Sequence, residues 1–417
     1  MAPKLWRNAN IFTPADRGRP ARGKEQGELI HHPGGALLVD DGLIVAVGSE
    51  EEVLAGLAGA VTDEVDCRGR CLIPGFVDPH SHMCFAALRE EEFSQRLLGT
   101  PYLEILRQGG GILSSVRAVA EVDDQTLLVS TLRQVRRALG FGTTSLEIKS
   151  GYGLDTANEL KMLRVIGQVA GHTGVDVVAT FLGAHAVPPA YRDNADGYVD
   201  LLIDEMLPAV CAQGIARFCD VFCEEGVFSR EQSRRLLLAA QAHGLAVKLH
   251  ADEVHDLGGA GLAAELAARS ADHLLAASEA NLQAMAAAGV IATLLPATAY
   301  SLKKPYAQAR LMLDKGLAVA LATDCNPGSS YTESMPFVIG LAVLNMGLTP
   351  AEALTGATLN AAYAIGLADR VGSLTPGKQA DFLLLEGESP AILAYHAGVS
   401  SVLRVIKRGE PCVADLS

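Results

Sequence analysis

Residues 72–82 read Leu72-Ile73-Pro74-Gly75-Phe76-Val77-Asp78-Pro79-His80-Ser81-His82, an apolar run that ends in two histidines. On a strand, residues two apart point to the same side, so His80 and His82 can bind one metal ion. Neutral imidazole suits zinc and iron, which activate water at neutral pH. A lone His-x-His is also common among half-buried, hydrogen-bonded histidines. The rest of the chain has to decide between these two interpretations.

Outward from this run, apolar segments of strand length alternate with helical patterns. Apolar residues recur with helical spacing over 155–170, 230–243 and 351–365, and the alanine-rich stretch 259–288 also favours helix. The strand-like runs are 71–78, 143–149, 175–184, 217–224, 244–250, 271–275, 289–295 and 317–323. Such runs with helical connections predict a (β/α)8 TIM-like barrel, with a doubly wound parallel sheet as the alternative.

Nearly every strand candidate is followed by a polar or titratable side chain. These groups are His80 and His82, Glu147, Lys149 and Tyr152, His185, Glu224 and Glu225, His250 and Glu253, His273, Thr298 and Tyr300, and Asp324 and Asn326. In a barrel the carboxyl ends of all strands face one shared site, which a doubly wound sheet does not predict. The pattern therefore favours the barrel.

Segments rich in short strands flank this central region. An Asp41-Gly42 turn joins two β-prone runs within 36–48, which is a hairpin signal. Residues 377–385 and 402–409 are again strand-like. Because chain termini often lie close together, we expect both ends to pair with each other. The predicted domains are a small β-sandwich formed by 1–73 and 373–417 and a metal-dependent barrel formed by 74–372.

Composition limits the cellular setting of the protein. The 417-residue chain has a net charge of -14, which argues against nucleic acid and anionic membranes as partners. Eight scattered cysteines without a Cys-x-x-Cys pair predict buried thiols and no disulfide scaffold. The N-terminal residues are followed by no apolar stretch of signal-peptide length, and no uninterrupted apolar stretch reaches the length of a membrane span. We therefore expect a cytoplasmic protein.

A ligand set for one metal ion follows from the strand ends. His80, His82, His250 and Asp324 together offer three nitrogens and one oxygen, which fits a catalytic zinc or iron with room for a water. Each has a plainer alternative. His250 can be a core histidine bonded to backbone, and Asp324 can be a turn residue because Asn326, a proline and a glycine follow closely. Their joint placement at strand ends favours the metal site.

A water activated by a metal also needs groups that carry its protons. Glu253 lies three residues after His250, and His273 ends the next strand candidate, so these two are the candidates for acid and base. The alternatives are a solvated loop carboxylate for Glu253 and a structural histidine for His273. The sequence leaves open which of the two is the general base.

Two further side chains have the chemistry of substrate contacts. Arg89 follows the first strand candidate, and arginine is the side chain best suited to a bidentate contact with a carboxylate. Its alternative is an ion pair with the neighbouring acids at 90–92. Tyr152 places a hydroxyl between two glycines, as a loop at a binding site does.

At this point the sequence resembles a known family. Residues 74–82 look like the metal motif of the amidohydrolase superfamily, and the terminal strand segments are similar to its small sheet domain. A narrower set of motifs is similar to the imidazolonepropionase family, and this resemblance covers nearly the whole chain. Those motifs are Tyr102-Leu103-Glu104-Ile105-Leu106, 109–114, 147–154, 181–189, 250–253 and 323–328.

The resemblance implies hydrolysis of 4-imidazolone-5-propanoate to N-formimidoyl-L-glutamate in histidine degradation. A metal-activated water would open a cyclic amide-like C–N bond. The implied ligands of one zinc or iron ion per subunit are His80, His82, His250 and Asp324. We expect one ion and not two, because the fourth strand candidate ends in Glu224-Glu225 and offers no bridging lysine.

The resemblance also assigns roles to individual residues and suggests a homodimer. The implied catalytic groups are Glu253, His273 and Asp324. The implied substrate contacts are Arg89, Tyr152, His185, Glu253, Asn326, Gly328 and Ser329. The chain departs from the commoner family pattern at Ser81 and Ser329, where threonine is frequent. Neither change removes a functional group that the mechanism needs.

Two other functions stay open at this stage. Another mononuclear amidohydrolase, such as a heterocycle deaminase, would share the ligands without needing a carboxylate partner at Arg89. A metal-dependent binding protein without turnover is the second alternative, and the presence of Glu253 and His273 argues against it.

Overall fold

The computed structural model describes residues 3–55, 63–100, 104 and 109–412. Of the family-like motif at 102–106 it describes Glu104, and the remainder of that motif lies outside the described residues. Within the described ranges, no helix combines the length and the apolar character needed to cross a bilayer.

Both ends of the chain build one sheet. Its strands are β1 (Lys4–Pro14), β2 (Leu29–Asp40), β3 (Leu43–Gly48), β4 (Asp63–Asp66), β5 (Cys71–Pro74), β14 (Phe382–Leu385), β15 (Val402–Lys407) and β16 (Glu410–Cys412). Antiparallel pairing of β14 with β5 sets Leu383 opposite Ile73 and joins the two ends of the chain. Asp41 and Gly42 both have positive φ, as the tight turn of the predicted hairpin requires. The pairing of the termini and this hairpin are confirmed.

The central region forms a parallel sheet of eight strands. They are β6 (Phe76–Asp78), β7 (Thr143–Lys149), β8 (Asp176–Ala184), β9 (Ala216–Cys223), β10 (Ala246–Ala251), β11 (Ser270–His273), β12 (Ile291–Leu294) and β13 (Val319–Leu321). Each strand pairs with the next one in the chain, from β6 to β13. Consecutive parallel neighbours with helical crossovers are the arrangement of a TIM barrel.

The barrel closes where the segments after β6 and β13 meet. The amide of Asp324 donates to the carbonyl of His80 at 3.0 Å, and the amide of His82 donates to the carbonyl of Cys325 at 2.9 Å. A parallel bridge pairs Ser81 with Cys325 at the same place. The predicted TIM-like barrel is confirmed, and the alternative of an open doubly wound sheet is wrong.

Helices connect the strands and cover the barrel. Those in the described ranges are α1 (Glu50–Ala55), α2 (Glu90–Leu97), α3 (Ile112–Glu121), α4 (Asp124–Gly140), α5 (Thr156–Thr173), α6 (Ala195–Leu201), α7 (Leu207–Gln213), α8 (Arg230–Ala242), α9 (Gly259–Glu265), α10 (Glu279–Ala288), α11 (Pro296–Leu302), α12 (Ala309–Asp314), α13 (Met335–Met346), α14 (Pro350–Gly356), α15 (Leu359–Ala364) and α16 (Ile392–Tyr395). The main apolar core lies between these helices and the outer faces of the strands.

Two helical predictions are wrong in detail. The stretch 351–365 is two helices, because the carbonyl of Ala357 accepts the amide of Val77 at 2.9 Å and the chain turns there. The alanine-rich stretch 259–288 holds strand β11 between α9 and α10, so the helical interpretation is wrong there and the strand candidate 271–275 is confirmed. Alanine is the best helix former, but intrinsic helix propensity is small in energy, and pairing with the neighbouring strand β10 overrides it.

The first strand candidate, 71–78, also divides into two strands. β5 belongs to the small sheet and β6 to the barrel, and Gly75 lies between them. The amide of Gly75 donates to Asp381 of the small sheet, whereas the amide of Phe76 donates to Gly142 beside the barrel. The apolar run therefore passes from one sheet to the other within one residue. The predicted domain limits, 1–73 with 373–417 and 74–372, stay a proposal.

Gly75 leaves no room for a side chain at this crossing. A Cβ at that position would lie 2.7 Å from Cγ2 and 3.0 Å from Cβ of Thr144. We expect Gly75→Ala to destabilise the protein by about 1–3 kcal/mol, the usual cost of overpacking. Gly171 in α5 has open space at its Cβ position, so Gly171→Ala should raise stability by about 0.5–1 kcal/mol. Thermal unfolding of both variants tests this, and equal melting temperatures would contradict it.

Candidate metal centre and active site

Four predicted ligand atoms converge at the carboxyl ends of the barrel strands. The Nε2 atoms of His80 and His82 lie 3.2 Å apart, and those of His82 and His250 lie 3.3 Å apart. Oδ1 of Asp324 lies 3.5 Å from Nε2 of both His80 and His82. None of these side chains is more than about 4% exposed. Residues far apart in the sequence are thus brought together as predicted.

These spacings fit a tetrahedral cation. Metal–nitrogen bonds of about 2.0–2.1 Å in tetrahedral geometry place neighbouring ligand atoms about 3.3–3.4 Å apart. The imidazoles are neutral, because burial lowers the pKa of His80 and His82 well below the usual value. Unprotonated nitrogens turned toward one another repel unless a cation lies between them. His80, His82 and His250 form one compact group of donor atoms, and His80, His273 and Asp324 form another, so this part of the barrel has the chemistry and spacing of a metal site.

Buried carboxylates set the orientation of two of the imidazoles. Oδ2 of Asp272 lies 2.6 Å from Nδ1 of His80, and Oδ2 of Asp220 lies 3.0 Å from Nδ1 of His250. His80 donates its Nδ1 proton to Asp272, which leaves the Nε2 lone pair for a metal. Oδ2 of Asp220 lies close to Nδ1 of His250 without an aligned hydrogen bond, and Oδ1 of Asp220 accepts the backbone amide of His250 at 3.1 Å. Carboxylate partners of this kind also raise the basicity of the ligand.

Two lysines and a glutamate lie beside these carboxylates inside the barrel. Nζ of Lys149 lies 2.8 Å from both Glu147 Oε2 and Asp220 Oδ2. Nζ of Lys248 donates to Glu147 at 2.9 Å and to the carbonyl of Pro79 at 2.7 Å. Burial opposes the charge on Lys149, but Asp220 and Glu147 more than offset it and raise its pKa. Buried charges persist only when they are paired in this way.

Sequence reasoning missed Asp220, Lys248 and Asp272. Each is a charged side chain within an apolar strand of a buried parallel sheet. Charged residues are almost never fully buried unless they have partners. A charge inside an apolar strand pattern is therefore a signal in the sequence, because it marks its residue as a member of a buried ion network.

The two candidates for proton transfer face a cavity next to the ligands. Glu253 and His273 both line a cavity of about 240 Å³. Oε1 of Glu253 lies 3.7 Å from Nδ1 of His273. His273 and Asp324 have positive φ, a sparsely populated backbone conformation that clusters at active sites. Glu253 is only 17% exposed, which does not match the alternative of a solvated loop carboxylate.

Tyr152 and His185 lie next to the ligands as well. The ring of His185 stacks on His82 with centroids 4.9 Å apart, and Tyr152 lies 5.4 Å from His185. Nδ1 of His185 lies 3.0 Å from the carbonyl of Gly151, which fixes the ring. Burial lowers the pKa of His185 to about 3, so the ring is neutral.

Arg89 forms the ion pair that was its alternative role, yet it also borders the site. Its Nε and Nη2 atoms bond both carboxylate oxygens of Glu92 at 2.7–3.1 Å. Its Nη1 atom lies beside Gly328, where an added Cβ would be 2.5 Å away. Both residues line a cavity of about 650 Å³, and Ala299 and Lys304 line both this cavity and the smaller one. Arg89 is therefore paired with Glu92 and also lines the cavity.

The loop after β13 is held by Asn326. Its Oδ1 accepts the amides of Gly328 at 2.8 Å and Ser329 at 2.7 Å, and its Nδ2 donates to the carbonyl of Asp324 at 2.7 Å. The side chain thus shapes the loop that carries Asp324 and Gly328. Direct contact of Asn326, Gly328 or Ser329 with a substrate stays a prediction.

Comparison with known proteins agrees with this geometry. The amidohydrolase family matches residues 71–412. An imidazolonepropionase from Desulfotalea psychrophila is 70% identical over 411 residues, covering 98% of this chain and 99% of that protein. Another from Syntrophobacter fumaroxidans is 64% identical over 412 residues, covering 99% and 97%.

A solved structure shows the same fold. The zinc-bound adenosine deaminase of Xanthomonas campestris aligns with a TM-score of 0.70 at 20% identity, covering 98% of this chain and 92% of that one. At this identity the likeness concerns the fold alone. The fold, the convergent ligand set and the full-length relatives together lead to one conclusion. The chain belongs to the amidohydrolase family and, within it, to the imidazolonepropionase family.

Proposed function

We propose that the protein hydrolyses 4-imidazolone-5-propanoate to N-formimidoyl-L-glutamate. The observation that carries this is the convergence of His80, His82, His250 and Asp324 beside Glu253 and His273. Relatives of up to 70% identity that are named imidazolonepropionase support the choice of substrate. A heterocycle deaminase is not favoured, because the likeness to deaminases concerns the fold only.

The reaction adds water to the ring carbonyl and breaks the adjacent C–N bond. A zinc or iron ion held by His80, His82, His250 and Asp324 would supply activation of water at neutral pH and polarisation of the carbonyl. The water oxygen ends in the new carboxylate, and the released ring nitrogen takes a proton. Product formation therefore needs one group that takes a proton and one that gives it.

The chain offers Glu253 and His273 for these two roles. Both side chains face the same cavity, and a proton can pass between them after a small movement because Oε1 and Nδ1 are 3.7 Å apart. Thr298 donates to Asp324 Oδ2 at 2.5 Å, which keeps Oδ1 directed at the histidines. We assign Glu253, His273 and Asp324 as the catalytic groups.

Substrate binding is assigned to a second set of groups, which shares Glu253 with the catalytic set. We propose that Arg89, which lines the larger cavity, pairs with the propionate. Tyr152 and His185 would contact the ring, with Asn326, Gly328, Ser329 and Glu253 completing the site. One zinc or iron ion, a cytoplasmic location and a homodimer remain part of this proposal.

The direct test is a ring-opening assay. Purified protein loaded with zinc or with iron is given imidazolone propionate, and both loss of substrate and formation of N-formimidoylglutamate are followed. We expect turnover with at least one of the two metals, and elemental analysis of protein expressed without added metal identifies the native ion. Metal-loaded protein that leaves the substrate intact would disprove the proposed function.

Arg89→Met separates the proposed function from a deaminase. Loss of a charged hydrogen bond to the propionate costs about 1.5–3 kcal/mol, so kcat/KM should fall by about 10- to 100-fold. Arg310→Met is the matched control, because Arg310 also bonds both oxygens of a glutamate, Glu352, outside the site. The control should retain the parental kcat/KM. An Arg89→Met enzyme with unchanged kcat/KM would argue against a carboxylate partner.

A further inference from the structure

Glu159 is a buried carboxylate bonded to the backbone of one loop. It lies in the first turn of α5 with no exposed surface. Its Oε1 accepts the amides of Gly153 at 2.8 Å, Leu154 at 3.0 Å and Gly151 at 3.2 Å. Its Oε2 also lies 3.1 Å from the amide of Gly151. One side chain therefore accepts three of the backbone amides in the loop that follows β7.

That loop needs such support because its backbone is unusual. Gly151 has φ +106° and Leu154 has φ +55°, and a positive φ costs a residue such as leucine about 1–3 kcal/mol. A Cβ at Gly153 would lie 2.7 Å from the carbonyl carbon of Asn158, so the loop presses against the first turn of α5. Hydrogen bonds to a single buried carboxyl group offset this strain.

The same loop sets two proposed substrate contacts. It carries Tyr152, and the carbonyl of Gly151 holds Nδ1 of His185 at 3.0 Å. His185 in turn stacks on His82. A shift of the loop would therefore move Tyr152 and His185 together.

We propose that Glu159 is a positioning residue for substrate binding, acting through the 151–154 loop on Tyr152 and His185. The inference rests on the proposed function for its kinetic consequence. Glu159 itself touches neither the ligands nor the two cavities. Its role is to hold the two contacts in place before the substrate arrives, which lowers the cost of binding.

The kinetic test is Glu159→Gln. The amide keeps the size of the side chain but turns a donor toward backbone donors, so KM should rise by about tenfold or more while metal content is unchanged. Glu352→Gln is the matched control, because Glu352 is a buried carboxylate that accepts the amide of Thr349 at 2.7 Å outside the site. The control should lose some stability and keep the parental KM. A parental KM in Glu159→Gln would overturn the inference.

A double-mutant cycle checks the route of the effect. If Glu159 acts through Tyr152, the change in KM caused by Glu159→Gln should shrink in a Tyr152→Phe background. Effects that simply multiply in the double variant would overturn a route through Tyr152.

Hydrogen exchange separates this inference from the proposed function. In Glu159→Gln, the peptide covering 150–158 should exchange at least about tenfold faster, whereas peptides from the barrel strands should not change. Unchanged exchange would overturn the inference even where turnover is lost. A parental protein without ring-opening activity would disprove the proposed function and leave this measurement of loop support valid.

Discussion

Glu253→Gln should lower kcat by about 10²- to 10⁴-fold, the usual contribution of a positioned general acid or base. The substitution keeps the shape of the side chain and removes its ability to take a proton. Glu253 faces the cavity beside His273 and is not among the atoms that converge on the metal position. The variant should therefore bind metal like the parent while losing turnover. Single-turnover kinetics together with metal analysis make the comparison.

The control for this substitution is Glu225→Gln. Glu225 lies at the end of the neighbouring strand with 68% of its side chain exposed, so it has the solvated setting that Glu253 lacks. Its replacement should leave kcat unchanged. A Glu253→Gln enzyme that retains the parental kcat would assign the proton transfer elsewhere, with His273 as the remaining candidate. Turnover lost together with the metal would show a structural defect and contradict the assigned role.

His250→Ala should empty the metal site, whereas His273→Ala should not. Side chains that only hydrogen-bond to a metal ligand contribute about 10- to 100-fold to metal affinity. Removing a ligand itself should therefore lower metal affinity by more than about 100-fold. The comparison is informative because His80, His273 and Asp324 also form a compact group of donors. Metal content after dialysis against a chelator, measured for both variants, decides the ligand set. A His273→Ala protein without metal would place His273 among the ligands.

Much of the fold follows from the sequence because the barrel repeats one rule. Buried parallel strands are apolar, and their carboxyl ends carry the polar groups. A series of such strands in the sequence therefore predicts both the barrel and the position of its site. The four proposed ligand atoms, with four of their separations at 3.2–3.5 Å, lie where that rule places them. This rule does not predict where an apolar run passes from one sheet to another. The crossing at Gly75 depends on contacts with Thr144 and Asp381, which are distant in the sequence.

The details of the site could not be predicted as well from the sequence, because they depend on pairs of side chains that are distant in the sequence. Asp272 orients His80 and Asp220 orients His250, and neither pairing has a local signature. Arg89 was expected to be either a substrate contact or an ion-pair partner. The structure shows the pair with Glu92 and also places Arg89 in the lining of the larger cavity, so the two roles are compatible.

The proposed metal position lies where the barrel closes. The first and last strands are joined through His80, His82, Asp324 and Cys325, and three of these are proposed ligands. An ion held there would be a non-covalent cross-link between the two ends of the barrel. Because such an ion binds the closed ring and not the open chain, a hundredfold excess over its Kd would stabilise the ring by about 2.7 kcal/mol. The residues that carry out hydrolysis would then also decide how firmly the barrel stays shut.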